Sequence, residues 1–298
     1  MERRTFLMNT AAAGLSAAAL PGLAGAATAR LPIRKGVEYS MLPTSLSHVE
    51  RFRLAKECGY ESVEVGTIED LAVAEAIKKA SDGAGVPIHS VMNMAHWEFP
   101  LSSPKPEVVA RSLKGMETSL NNAKLWGAQT VLLVPAVVNA EVSYQQAWER
   151  SQKEIRKLIP LAEKNKVIIG IEEVWNKFLL SPLEMAHYID EFKSPWIRAY
   201  FDVGNVVLYG YPQDWIRTLG PRIVKLHLKD FTFRHNKQID KTVADWVNLR
   251  DGDINWKAIH EALADIKYKG DATVELEGGD SAYLKDVNRR FEAILQGT

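Results

Sequence analysis

Short runs of strand-forming apolar residues alternate with amphipathic helical stretches along almost the whole chain, and this alternation most constrains its fold. The strand candidates are GVEYSM, SVEV, PIHSVM, TVLLVP, VIIGIEE, IRAYFD, IVKLHLKD and DATVELE. Each is followed by a segment with helical period or helix-capping residues. The first helix opens at Ser47, with Glu50 completing a capping box, and Gly59 stops it after Cys58. Others are expected over about 70–84, 107–126, 144–165, 182–192, 213–219, 256–266 and 283–295, with Pro106 placed at a helix start where its missing N–H costs nothing. An irregular, polar stretch separates the seventh strand from the helix that follows it. Eight strand–helix units in roughly 250–270 residues are the content of one (β/α)8 barrel, an α/β single domain. An open doubly wound sheet is the alternative, but no GxGxxG or GxxxxGK[ST] follows any strand.

The N-terminus is of a different character. MERRTFLMNTAAAGLSAAALPGLAGA carries paired arginines, an Ala-rich apolar stretch and a small-residue end. Residues 1–26 therefore read as an export signal resembling the twin-arginine type, with a second cut site after Ala29. It is too short for a good membrane span, and no cysteine follows it to carry a lipid, so no stable membrane anchor is expected. This places residues 27–298 in the periplasm or outside the cell after passage through the twin-arginine machinery. The alternative is a cytoplasmic protein with an amphipathic start.

The formal net charge is +0, with 37 basic and 37 acidic residues, so no cationic excess exists to neutralise nucleic-acid phosphates. Cys58 is the only cysteine, which excludes an intrachain disulfide and reads as a buried, inert thiol. His89 lies in an apolar strand and reads as a core histidine; His48, His187, His235 and His260 read as helix or loop surface.

In a barrel of this kind the C-terminal ends of the strands form the working rim. The fifth strand ends on Glu172 and Glu173, the sixth on Asp202; the seventh carries His227, the eighth Glu275 and Glu277. Taken singly, a strand-end acid is usually a cap or a salt-bridge partner. Four consecutive strands delivering acids and an imidazole to one rim point instead to a divalent cation, because facing carboxylates would otherwise repel. Oxygen ligands with one imidazole suit Mn²⁺, Mg²⁺ or Co²⁺, with Zn²⁺ also accommodated.

The segments IEEVWNKF, YFDVGN, KLHLKD, GDINWKAIHEAL and VELEGG resemble those of the xylose isomerase-like TIM barrels. This is the sugar-phosphate isomerase/epimerase superfamily, with ketose 3-epimerases, hydroxypyruvate isomerases and inosose dehydratases among its members. The likeness spans essentially everything after the signal. The family pattern at the fifth strand is a metal-binding Glu, two residues, Asn and a basic residue. Only Glu173 has that spacing to Asn176 and Lys177, leaving Glu172 as an outward-facing structural neighbour. The resemblance thus implies metal ligands Glu173, Asp202, His227 and Glu275, with Mn²⁺ the leading candidate. Side-chain alternation alone does not separate Glu275 from Glu277.

By the same resemblance, Glu173 and Glu275 are acid/base groups that remove and return a proton next to a sugar carbonyl, through a metal-stabilised enediolate. His96, Trp97, Trp175, Asn176, Asn205 and Lys229 are candidate substrate neighbours, although Lys229 with the adjacent Asp230 also reads as a salt bridge. Departures from the ketose-epimerase pattern are Asn205 in place of a His, Leu179 in place of a Glu, and Phe233 in place of an Arg, with Arg234 adjacent. The expected partner is a small carbohydrate. A lyase or dehydratase using the same site, or a non-catalytic sugar-binding protein, are the competing readings. A homo-oligomer is compatible with all of them.

Overall fold

The structure, a computed structural model, describes residues 29–236 and 241–298. The signal-like residues 1–26 lie outside that range. Seven parallel strands lead the chain into the barrel: β1 (Arg34–Glu38), β2 (Ser62–Gly66), β3 (Ile88–Met92), β4 (Thr130–Leu133), β5 (Ile168–Ile171), β6 (Ile197–Asp202) and β7 (Ile223–Leu228). An antiparallel hairpin follows, β8 (Asp230–Asn236) with β9 (Lys241–Val247), and β10 (Asp271–Val274) completes the set. The barrel closes in the order β1-β10-β7-β6-β5-β4-β3-β2. Its outer helices are α1 (His48–Glu57), α2 (Leu71–Ala84), α3 (Pro106–Trp126), α4 (Tyr144–Asn165), α5 (Pro182–Asp190), α6 (Pro212–Leu219), α7 (Trp256–Asp265) and α8 (Ser281–Gln296). This is the expected (β/α)8 fold.

Local chemistry accounts for the boundaries. Ser47 and Glu50 form the expected capping box of α1, and Ser143 with Gln146 forms another at α4. Asp70 caps α2 through Ala72 and Val73 N–H groups. Gly127 ends α3 with φ +76°, a left-handed conformation that glycine adopts without steric cost. The apolar stripes of the helices face strands whose side chains are buried on both surfaces, as parallel sheets require.

The barrel interior is unusually polar. Glu64, His89, Ser90, Tyr200, Lys225, His227, Asp271 and Thr273 are all buried. Two strand glycines make room for it. A Cβ on Gly36 would stand 2.9 Å from His89 Nε2, and one on Gly170 would stand 3.0 Å from Tyr200 Cβ.

Two sequence expectations change here. The polar stretch after the seventh strand is the β8–β9 hairpin, not an irregular loop. His260 is buried rather than on the surface, whereas His187 is exposed beside Glu191. The side chain of His235 lies outside the described residues. Cys58 is buried, and His89 is a core residue bonded to Thr273 Oγ1 at 2.9 Å.

Candidate metal centre and proton-transfer site

The centre is assembled from one strand end at a time. β7 brings in His227, fully buried, and β6 ends on Asp202, its register neighbour. β5 stops at Ile171, so Glu172 and Glu173 lie just beyond the strand rather than in it. Glu275 follows the last residue of β10. Glu172, Asp202, His227 and Glu275 each offer one donor atom, and these atoms lie within 4.8 Å of one another.

His227 Nδ1 stands 2.9 Å from Glu172 Oε1, 3.0 Å from Glu275 Oε2 and 3.8 Å from Asp202 Oδ2. Its other nitrogen, Nε2, lies 2.9 Å from Glu64 Oε1. Glu64 is also in short contact with the Tyr200 hydroxyl, and the Tyr200 ring packs 4.6 Å from the imidazole. Lys229 Nζ reaches Glu275 Oε2 at 2.7 Å and Asp202 Oδ2 at 2.9 Å. Asp202 Oδ1 accepts from the Gly204 and Asn205 backbone N–H groups at 2.7 and 2.9 Å.

The charges are distributed unevenly. Burial pushes Glu172 up to about 7, with the nearby His227 opposing the shift. Burial also acts on Glu275, but His227 and Lys229 outweigh it and hold that carboxyl well below its usual range. Burial, then the Glu275 charge, lifts Glu38 at the end of β1 to about 7. Three carboxylates converge on one imidazole nitrogen, and the Lys229 ammonium is the one cation that meets Asp202 Oδ2 among the described residues. That is a donor set a divalent cation fits, since it neutralises the crowded carboxylates.

Glu173, expected in this set, is not among the residues the structure brings together there. Both its carboxyl oxygens are buried without a partner among the described residues, and Glu172 occupies the place beside His227. Alternation along a strand could not decide the matter, because the strand has already ended. Burial, then the charges of Glu172 and Asp202, raise the Glu173 carboxyl well above its usual range.

The other candidates divide. Asn205 bridges the region, donating through Nδ2 to the Glu173 carbonyl at 2.9 Å. Trp175 donates through Nε1 to the Asn205 carbonyl at 2.9 Å and stacks on Trp246 of the hairpin, with centroids 5.0 Å apart. His96 is buried, and Trp97 meets it edge-on while standing largely exposed. Asn176 turns away to brace its own loop, donating to the Ala136 carbonyl and accepting from Phe178 N–H. Leu179, in a left-handed conformation at φ 58°, is buried, and its N–H donates to Tyr144 Oη. Lys229 and Asp230 do not pair. Asp230 instead gathers the Arg250 N–H at 2.7 Å and the Trp256 indole N–H at 2.8 Å.

Glu64 and Tyr200 join the site beyond the expected residues, and Glu172 faces into it rather than outward. Glu64 had a visible signal, an acid flanked by valines in the middle of a strand, but attention to strand ends passes over it.

The sequence profile of the xylose isomerase-like TIM barrels matches residues 52–293. The chain belongs to that family. SgbU of Escherichia coli (strain K12), whose name assigns it provisionally to the L-ribulose-5-phosphate 3-epimerases, is 27% identical over 252 residues, covering 81% of this chain and 87% of SgbU. A D-tagatose 3-epimerase-like protein superposes with a TM-score of 0.74 at 16% identity, covering 88% of this chain and 98% of its own. A xylose isomerase-like barrel from Mycobacterium smegmatis, solved in complex with magnesium, gives 0.67 at 18% identity, covering 90% and 96%. At these identities the structural likenesses establish the shared fold. Among the described residues no helix is long and apolar enough to cross a membrane.

Proposed function

We propose that this member of the family is a divalent-metal-dependent sugar isomerase or epimerase that works by moving a proton on carbon next to a carbonyl. The observation that carries the reading is the convergence of Glu172, Asp202, His227 and Glu275 within 4.8 Å at the barrel mouth. The named activity of SgbU and the magnesium complex of the Mycobacterium smegmatis barrel support it.

The four residues would hold the cation, with Mn²⁺ the first choice and Mg²⁺, Co²⁺ or Zn²⁺ able to replace it. When bound, the cation supplies Lewis acidity to the substrate carbonyl. Glu172 and Glu275 reach the site from separate strands, so one removes the proton and the other returns it. Return to the opposite face of the same carbon gives epimerisation; return to the neighbouring carbon gives isomerisation. Lys229 holds Glu275 and Asp202 in place. Asn205, Trp175, His96 and Trp97 form the surrounding wall, with Asn176 bracing the loop that carries Trp175. Residues 1–26 direct export, which N-terminal sequencing of the mature protein tests.

The deciding experiment strips the protein with EDTA, restores Mn²⁺, and follows a panel of keto-sugars in D₂O by NMR. Deuterium entering the carbon next to the carbonyl, only with metal, is the expected result. Loss of water or an aglycone instead would assign a lyase, and no exchange with any sugar would count against proton abstraction.

A further inference from the structure

On the β1–β10–β7 side of the mouth, a cavity of about 470 Å³ opens directly on Glu275 and Lys229. Glu38 and Glu277 also line it, so three carboxylates face its interior. Lys229 is the one cation among the described lining residues, and its ammonium is already committed to Glu275 and Asp202. Two aromatic side chains, Trp246 and Tyr283, also line it.

Trp246 is held in place there. It stacks on Trp175, meets Phe231 edge-on at 4.8 Å, and lies under the Lys229 ammonium. Gly204 adds to this. Its φ of −80° needs no glycine, yet a Cβ would stand 2.5 Å from Lys229 Cγ and 3.0 Å from Trp246 Cζ3. The glycine is required by the close approach of these two side chains.

We infer that this cavity receives the neutral, polyhydroxylated part of the substrate, and that the enzyme acts on unphosphorylated sugars rather than sugar phosphates. Carboxylates accept hydroxyl hydrogen bonds, and an indole packs against the C–H face of a sugar ring. A phosphate ester would bring close to two negative charges against Glu275 and Glu277, with no uncommitted ammonium or guanidinium among the described lining residues to meet them. The inference rests on the proposed function and departs from SgbU, whose name specifies a 5-phosphate.

Matched pairs test it: L-ribulose against L-ribulose 5-phosphate, and D-fructose against D-fructose 6-phosphate. Each is titrated calorimetrically into the Mn²⁺-loaded protein and followed for deuterium exchange. The neutral member of at least one pair is expected to bind about tenfold or more tighter than its ester. Glu277→Lys, at an exposed position, is expected to narrow or reverse that ratio, with circular dichroism reporting that the variant is folded. An ester that binds or exchanges as well as its neutral partner overturns the inference and leaves the proposed function standing. Absence of binding and exchange with every sugar overturns both.

Discussion

Glu64 holds His227 from behind: its Oε1 lies 2.9 Å from Nε2, while Nδ1 points to Glu172 and Glu275. The Glu64 carboxylate accepts a hydrogen bond from Nε2–H, which would leave the Nδ1 lone pair for a bound cation. Such an outer partner fixes both tautomer and ring orientation, and its loss typically weakens metal binding about 10–100-fold. Glu64→Ala is therefore expected to lower Mn²⁺ affinity by that factor in calorimetry of the EDTA-stripped protein, with Glu64→Gln intermediate. Wild-type affinity in Glu64→Ala would show that His227 needs no such support.

The adjacent acids give a sharper comparison. Glu172→Gln removes a donor from the cluster and is expected to abolish tight Mn²⁺ binding. Glu173→Gln replaces a carboxyl that stands outside the cluster with an amide of the same shape, so metal binding should persist. The two also differ in stability. The folded state raises the Glu173 carboxyl, so above the unfolded value of about 4.3 it binds more protons than the unfolded chain does, and stability falls as pH rises. Glu173→Gln removes that loss. Its melting temperature should exceed that of the wild type at pH 7, with a shallower decline toward pH 9. Loss of metal from Glu173→Gln, with retention in Glu172→Gln, would restore the spacing-based assignment.

That pair also shows where the sequence stops being readable. Alternating strands and helices, caps such as Ser47 and Asp70, and the rim position of Asp202, His227 and Glu275 depend on local pattern and on barrel geometry. Both are encoded in short windows. Glu172 is not, because its direction is set where β5 ends at Ile171, and that end is fixed by pairing with β4 and β6. The hairpin is hidden in the sequence for a related reason. Phe231 and Phe233 alternate with polar residues as a strand should, but the flanking charges mask the period. Trp246 reaches Trp175 only through this tertiary contact.

At the opposite end of the barrel interior, Lys225 and Asp271 form an almost fully buried ion pair, with Arg34 2.9 Å from the same carboxylate. Against the cost of burial, His89, Lys225 and Arg34 hold the Asp271 carboxyl well below its ordinary range. A depressed carboxyl contributes stability above the unfolded value, about 3.9, and loses it as pH falls through the folded value. Urea unfolding should therefore show stability dropping below about pH 4. Asp271→Ala strands the buried Lys225 and is expected to cost about 3–5 kcal/mol at pH 7. A variant as stable as the wild type would mean that Lys225 finds another partner or loses its proton.

His96 provides a test of the mouth that needs no substrate. Its Nδ1 accepts the Val134 backbone N–H at 3.2 Å, so the ring proton sits on Nε2, which has no partner among the described residues. Burial pushes this imidazole down to about 3, with the Glu275 charge opposing. Between that value and the unfolded one near 6.5, the unfolded chain binds the extra proton, so acidification through this window costs stability. The ¹⁵N signals of His96 should keep the neutral Nε2–H pattern from pH 8 to pH 5. If the Nε2–H donates to a sugar oxygen, His96→Phe should raise KM or lower kcat/KM about tenfold while leaving Mn²⁺ affinity unchanged. A His96 that titrates near 6.5 would place the ring in water and remove it from the substrate wall.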